Sequence, residues 1–359
     1  MTLQNTFAIT YTVKNEANLL PDAIAYHLAM GCSRIYVFFD GTTDNSRELI
    51  QGIDRVVCAD SISPGALTSP PKWVDEIAPR WEESMDVRKR INTLFAADQA
   101  KTEGIEWLIN IDPDELLILN DQATNSLKNS EAFFATISAQ VDQILIPNLE
   151  AIPTSDGSGK PYIDCTLFLE RFPITELLWR FSLGICRKMV SNAKYHAWVD
   201  YWFYHLRFRG VLPRLMKHPV TQENIPAGYF LGYSNHKSFI RTAVARDFKF
   251  NIHRWEKATR KPRNTKKGKL LHYDLPSTEY FCAKFRQRPP AMLVKEFYCR
   301  YQFAQIAREL PFEAARQFFL NNICISDTAI LNRMKRIGIL TEIKFIADFM
   351  KERASQLSK

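Results

Sequence analysis

This 359-residue sequence has no stretch approaching the ~18 consecutive apolar residues of a membrane-spanning helix. No spanning helix is expected. The first residues, MTLQNTFAITYTVKNE, lack a basic segment followed by an apolar run and a small-residue cleavage site, so secretion by that route is not expected. Seven cysteines (Cys32, Cys58, Cys165, Cys186, Cys282, Cys299 and Cys324) are scattered without a CxxC pair. That speaks against a disulfide framework and against a clustered zinc site, and suits thiols in a reducing, cytoplasmic compartment. Internal repeats are missing too. The basic residues are not interleaved with any recognisable RNA- or DNA-binding motif, so nucleic acid is not an expected partner.

What is present fits a globular chain: 46% hydrophobic and 24% charged residues, in a length suiting one large domain or two modest ones. The net charge of +8 hides an asymmetry. Residues 1–179 carry 13 basic against 26 acidic side chains, and residues 180–359 carry 34 against 13. Such halves suit a site that binds metal and polyphosphate together. They suit equally an acidic surface with a basic partner-binding tail, which leaves peripheral membrane contact open.

Phe7–Val13 alternates bulky and β-branched residues and predicts a strand. Asn18 and Pro21 predict the start of a helix, and Gly31 its end. Arg34–Phe39 predicts a second strand, closing a βαβ unit whose strands run parallel. Ser61–Pro79, rich in Pro and Ser, predicts a loop. From Asp86 the spacing of Val87, Ile91, Leu94 and Phe95 predicts a helix. Trp107–Ile111 is then a short buried strand, and Asp112-Pro113-Asp114-Glu115 follows at its carboxyl end, where open α/β sheets bind ligands. Gln143–Pro147 predicts another strand. Arg254–Lys269, with eight basic residues, Pro262 and Gly268, predicts a mobile loop. Beyond it, Glu279–Lys295, Phe297–Leu310, Glu313–Leu320 and Ala329–Ala354 show helical spacing.

Asp112 and Asp114, with Glu115 adjacent, make a hard oxygen cluster suited to Mn²⁺ or Mg²⁺, which bind one or two carboxylates plus waters and substrate phosphates. As a bare pattern Asp-x-Asp is weak, because a solvated turn after a strand explains it as well. Its context is stronger. The segments VKNEANLLPDAIAYHLAMGCSRIYVFFDGTTDNS and GIEWLINIDPDELL, then Gly232, Lys237-Ser238, Arg241, His253, Leu271-His272-Tyr273, Ser277, Glu279, Phe281 and Lys284, recur in that order. This series resembles the glycosyltransferase family 2 and family 92-like enzymes over residues 10–285, with a poorly matched stretch at 172–231.

The resemblance implies an α/β, Rossmann-like GT-A core for nucleotide-diphospho-sugars over residues 1–285, with a helical C-terminal extension over 286–359. It implies metal-dependent transfer of a hexose from a nucleotide sugar, uridine being the expected base, to a glycan or lipid-linked acceptor with inversion. Thr12, Glu16 and Asp40 would line base and ribose, although helix capping and turn making also explain Glu16 and Asp40. Asp44 reads as readily as a turn residue. Asp112 and Asp114 would hold the metal, with Asp112 also on the donor and Glu115 in support. His272 would complete the shell, with His253 as the competing histidine. Lys237, Arg241 and Arg90 would meet the diphosphate, with Arg88 a weaker candidate, or would line a solvated basic face.

The basic run 254–269 would act as a lid over the donor, or remain a solvated loop. No spacing rule selects the catalytic base among Glu170, Glu176 and Asp200, and Trp198–Tyr204 suits either acceptor stacking or core packing. Two rivals stand beside the transferase. One is a non-catalytic nucleotide- or carbohydrate-binding protein on the same fold. The other is a nucleotidyltransferase, whose glycine-rich loop after the first strand is replaced here by VKNEANLL.

Overall fold

β1 (Leu3–Val13), α1 (Leu20–Ala29) and β2 (Arg34–Phe39) form the expected strand–helix–strand unit in the computed structural model. It describes residues 3–119, 130–170, 236–286 and 298–357, with short pieces at 185–186, 189, 215–217, 222 and 224–226. Pro21 stands in the first turn of α1, where its missing N–H costs nothing. Asn18 is not the cap. The Glu16 carbonyl takes that role, accepting from the N–H groups of Leu19 (3.1 Å) and Leu20 (2.9 Å). Gly31 ends the helix at φ +98°, as expected, and a Cβ there would meet Ser130 Oγ at 2.8 Å.

The chain divides into two compact units, residues 1–148 with 235–272, and residues 149–234 with 273–359. In the first unit α2 (Ser46–Ile50) leads to β3 (Val56–Asp60), and α4 (Met85–Thr102) leads to β4 (Ile105–Asn110). The strands pair in the order β3-β2-β1-β4, all parallel. β1 therefore lies inside the sheet, and the direction of winding reverses between β1 and β4. In such sheets the crevice for a ligand opens at the carboxyl ends beside that reversal. β10 (His236–Arg241) runs antiparallel to β4 and to β6 (Gln143–Ala151), whose residues up to Asn148 belong to this unit. β5 (Glu115–Ile118) pairs antiparallel with β14 (Lys269–His272), setting His272 opposite Glu115.

One face of the sheet packs on α4. Val87, Ile91, Leu94, Ala97 and Ala100 of that helix are buried with Phe38, Leu108, Ile240, Phe250 and Trp255. The expected loop at Ser61–Pro79 contains α3 (Lys72–Ile77), because Trp73 is buried and donates its indole N–H to the Phe248 carbonyl at 3.1 Å. α5 (Ser130–Ala135) adds Phe133 and Phe134 to the core.

The basic run 254–269 is built into the fold, against the expectation of a mobile loop. β11 (Phe248–Asn251) and β12 (Arg254–Lys257) make a hairpin, and β13 (Asn264–Lys266) lies parallel to β6. Between them Asp142 binds Arg260 at 2.6 and 3.0 Å and the backbone N–H of Arg263 at 2.8 Å. The apolar anchor is Trp255, and the charges are largely the outward faces of short strands. That composition misled the reading of a loop.

The second unit holds the end of β6, α6 (Pro161–Asp164), β7 (Leu167–Leu169), the hairpin of β8 (Leu215–Lys217) and β9 (Asn224–Pro226), and β15 (Leu340–Glu342). β7 pairs with β15 and with Glu150–Ala151. Helices Thr278–Arg286, Tyr298–Glu309 and Phe312–Asn322 bury Phe281, Phe285, Phe303 and Phe319 in one cluster. Asp156 ties two of them together, accepting the Thr278 N–H (2.7 Å) and pairing with Arg316 (2.8 Å). The periodicity over Ala329–Ala354 is split by Gly338, at φ +73°, and β15, so helices Thr328–Arg336 and Phe345–Leu357 replace one long one. No described helix is long and apolar enough to cross a membrane.

Candidate functional site

Four parallel strands end on one edge of the first unit, each with a polar residue at or just past its end. Thr12 is the next-to-last residue of β1, Asp40 follows β2, Ser61 follows β3 and Asp112 lies just beyond β4. α4 crosses these ends and ties them together with Arg88 and Asn92. Asn92 Nδ2 donates to Thr12 Oγ1 (3.1 Å) and Ser61 Oγ (3.2 Å), while its Oδ1 accepts from the Ile62 N–H (2.8 Å). Arg88 grips Asp40 with two donors, at 2.5 and 3.0 Å, and Ser61 Oγ adds a third contact at 3.0 Å. Asp40 is thus buried with both oxygens engaged, and it braces the edge as a counter-ion.

The acidic turn is charged and largely buried. Lys89 of α4 ion-pairs with Asp112. Lys237 of β10 reaches Asp112 at 2.9 Å and Glu115 at 3.0 Å. Glu115 also accepts the Asp112 N–H at 2.8 Å, closing the turn on itself. Burial opposes the charge on Asp112, yet Lys237 and Lys89 hold its carboxyl well below the ordinary range. For Glu115 burial wins and pushes it up. Burial also opposes the charge on Lys237, and Asp112 and Glu115 raise it regardless. The Asp112 side chain stays 36% exposed, whereas that of Lys237 is 4% exposed. The open edge of the cluster belongs to Asp112.

Asp114 faces a different partner. Its Oδ2 lies 3.7 Å from His272 Nε2, and both side chains are buried. That spacing is too long for a hydrogen bond and matches two ligands of one ion, since donors ~2.1 Å from a shared cation stand about 3–4 Å apart. The β5–β14 ladder produces it, by placing His272 opposite Glu115 and so beside Asp114. Helix α1 holds that ladder: Tyr26 donates to the Leu117 carbonyl (2.8 Å), and His27 Nε2 accepts the Leu117 N–H (3.2 Å). His253, in the turn of the β11–β12 hairpin, lies within electrostatic reach of Lys237, Lys89, Asp112 and His272. Burial, then the two lysines, lower its pKa to about 3, and its buried Nδ1 has no hydrogen-bond partner among the described residues. A carboxylate and an imidazole converging at this spacing, with the His253 imidazole within electrostatic reach, fit a divalent cation in chemistry.

The remaining expected residues divide. Glu16, in the β1–α1 loop, donates its backbone N–H to Ser46 Oγ (3.3 Å), and Asp44, in the β2–α2 loop, accepts from the N–H groups of Ala17 (2.9 Å) and Ser46 (3.1 Å), a turn-making role. Burial works against the Asp44 charge, but these bonds and the Ser46 hydroxyl hold its pKa down. Arg241, expected on a diphosphate, pairs with Glu106 and covers the Trp107 ring at 4.2 Å. Its register partner is Trp107, toward the amino end of β4, so it is not brought to the acidic turn. Arg90, likewise expected there, donates to the Phe250 carbonyl (2.7 Å) and lies over Trp73. Helical phase turns it away from Lys89. Lys237 reaches carboxylates in place of the phosphate foreseen for it. Glu170 accepts from Thr341 Oγ1 at 2.8 Å within the second unit, while Glu176, Asp200 and Trp198–Tyr204 lie outside the described residues. Asp274, in the second unit, is buried and paired with Lys284. Lys89 and Asn92 escaped sequence reading. The only available signal was their spacing of three on one helix face.

No family model matches the chain. It is similar to two glycosyltransferase-like proteins of Arabidopsis thaliana, each 23% identical over 89% of this chain, and it spans 58% and 66% of their lengths. Among solved structures, the Mn²⁺–UDP–phosphoglyceric acid complex of Mycobacterium tuberculosis glucosyl-3-phosphoglycerate synthase aligns at 9% identity. That alignment covers 68% of this chain and 58% of that one, with TM-score 0.28. S. aureus TarS aligns at 10% identity over 99% of this chain and 92% of that one, with TM-score 0.33. Scores this low assign nothing to individual residues. The chain is therefore a mixed α/β protein with glycosyltransferase-like relatives, as its motifs imply.

Proposed function

We propose that the chain is a glycosyltransferase that moves a hexose from a nucleotide sugar, uridine-linked, onto a hydroxyl of a glycan or lipid-linked acceptor. The observation that carries this reading is the approach of Asp114 to His272, 3.7 Å apart, directly after the carboxyl end of β4. Asp112, Asp114 and His272 are the proposed ligands of Mn²⁺ or Mg²⁺, Asp112 once a lysine partner gives way. A divalent ion there would supply Lewis-acid neutralisation of the charge that develops on a leaving nucleoside diphosphate.

The protein's own groups do the rest. Thr12, presented by Asn92, and Glu16 face the nucleoside from the strand ends nearest the β1–β4 reversal. Lys237 holds the acidic turn rigid, so that its donors are placed before the donor substrate arrives. A base must still remove the acceptor proton, and Glu170, Glu176 and Asp200 are the candidates, Glu170 accepting one hydrogen bond from Thr341. Inversion follows from the resemblance alone.

The test is a thermal-shift screen of nucleoside diphosphates with and without Mn²⁺, on the wild type and on Asp114→Ala. One diphosphate should stabilise the wild type only with metal, and the variant should lose that gain. Stabilisation without any hydrolysis or transfer of the sugar would identify the non-catalytic binding protein instead. No metal-dependent stabilisation by any nucleotide would overturn the reading.

A further inference from the structure

Two lysines hold Asp112, and they are not equivalent. Lys237 is shared between Asp112 and Glu115, and its side chain is almost fully enclosed. Lys89 pairs with Asp112 from α4, three residues before Asn92, which is bonded to Thr12 at 3.1 Å. That helix face looks onto the β1–β4 reversal, where a ligand of an open α/β sheet binds. The lysine side chain is a compact charge on a flexible four-carbon stem and can change partners without moving its backbone.

Charge accounting sharpens the difference. Asp112 and Glu115 face Lys89 and Lys237, while Asp114 of the same turn faces His272, so three acidic groups are set against two ammoniums and one imidazole. A dication added to this arrangement meets an ammonium already seated on Asp112, the most exposed carboxylate of the cluster. A diphosphate arriving with the cation brings the negative charge that such an ammonium can follow. His253 adds an independent sign of a ligand, a half-buried residue whose enclosed Nδ1 has no hydrogen-bond partner among the described residues.

We propose that Lys89 is an exchangeable counter-ion, which holds Asp112 in the ligand-free protein and yields that carboxylate to a divalent cation, turning its ammonium to the diphosphate that enters with it. This rests on the transferase reading of the same site. Lys237, bridging two carboxylates, stays in place. The same positive charge thereby serves two states, and the acidic turn is never left as an uncompensated cluster. The arrangement also makes metal and nucleotide bind cooperatively, because the nucleotide gives Lys89 its new partner.

The experiment uses the full chain and two substitutions, Lys89→Met and Lys89→Arg, with Mn²⁺ alone and then UDP as probes. Mn²⁺ binding is read by the spin-resonance signal of the free ion, and UDP binding by calorimetry. Lys89→Met should bind Mn²⁺ about tenfold more tightly than the wild type in the absence of nucleotide, since a like charge beside the site is gone. With saturating Mn²⁺ it should bind UDP about tenfold more weakly. Lys89→Arg keeps the charge and should stay near the wild type for Mn²⁺ alone. Unchanged or weaker Mn²⁺ binding by a folded Lys89→Met, beside a wild type that binds Mn²⁺ and UDP, overturns the exchange and leaves the transferase reading standing. A wild type that binds no Mn²⁺ with or without UDP overturns both.

Discussion

Lys237 stands 2.9 Å from Asp112 and 3.0 Å from Glu115, so one ammonium from β10 closes both ends of the acidic turn after β4. Removing it leaves two acidic groups close together, one of them fully enclosed. Lys237→Met should lose about 3 kcal/mol of unfolding free energy, the usual cost of stripping one partner from a buried ionic cluster. Lys89→Met should lose clearly less, because its carboxylate partner is partly solvated and keeps Lys237. Denaturant titration of both variants checks the order, and equal losses would contradict the bridging role.

His27 should make the fold sensitive to mild acid. It is enclosed between Tyr11, the Ala23 carbonyl and the Leu117 N–H, and burial lowers its pKa to about 3. The unfolded chain takes up a proton near 6.5, whereas the native imidazole refuses it until about 3. Between those values the unfolded state binds more protons, so stability is complete above pH 6.5 and falls as the pH drops. From pH 6.5 to 5 the loss from this one residue should be about 1.5 kcal/mol. His27→Gln should be less stable at neutral pH and show a shallower slope in urea titrations across that range.

Arg88 and Asp40 form a second enclosed pair, with two donors on two oxygens at 2.5 and 3.0 Å. Arg88→Met alone should cost about 3 kcal/mol, since Asp40 would remain buried with Ser61 as its remaining contact. The double variant with Asp40→Asn should cost less than the two single losses added together. A coupling of about 2 kcal/mol in a double-mutant cycle is the expected figure. Strict additivity would mean that the pair does not act as a unit.

Asp142 anchors the basic segment. Hydrogen bonds from Arg260, then from Arg263, hold its carboxyl far below the usual range against the effect of burial. Asp142→Asn should loosen residues 258–263 while the β11–β12 hairpin persists on Phe250 and Trp255. Tryptic cleavage after Arg260 and Arg263 should then run about tenfold faster than in the wild type, as expected for a local opening made cheaper. Equal cleavage would show that backbone pairing alone holds the segment.

Much of the first unit was legible because its signals are local. The alternation in Phe7–Val13, the apolar run in Arg34–Phe39 and the spacing in α4 each depend on neighbours in the chain, and the parallel sheet follows from them. The acidic turn could be put at a strand end for the same reason. Partners distant in sequence were harder. Arg88, Lys89 and Arg90 are three consecutive bases, yet one braces Asp40, one meets Asp112 and one turns to Phe250, a division set by helical phase against strands not yet placed. Arg241 matched a motif by spacing, but the antiparallel register of β10 carries it toward the wrong end of β4. In Arg254–Lys269, charge concealed two short strands, since β12 has one apolar residue, Trp255, and β13 has none.

Gly268 stands at φ +79°, immediately before β14, and a Cβ there would come within 3.1 Å of the Ile118 carbonyl. A side chain at this point would have to push apart the two strands at the end of their ladder. His272 lies four residues along, at the other end of the same short strand. Because neighbouring positions on a strand point to opposite faces, even a single-residue slip would aim Leu271 or Tyr273, in place of the imidazole, at Asp114. The aim of the imidazole thus depends on an amino acid that contributes no atoms beyond its backbone.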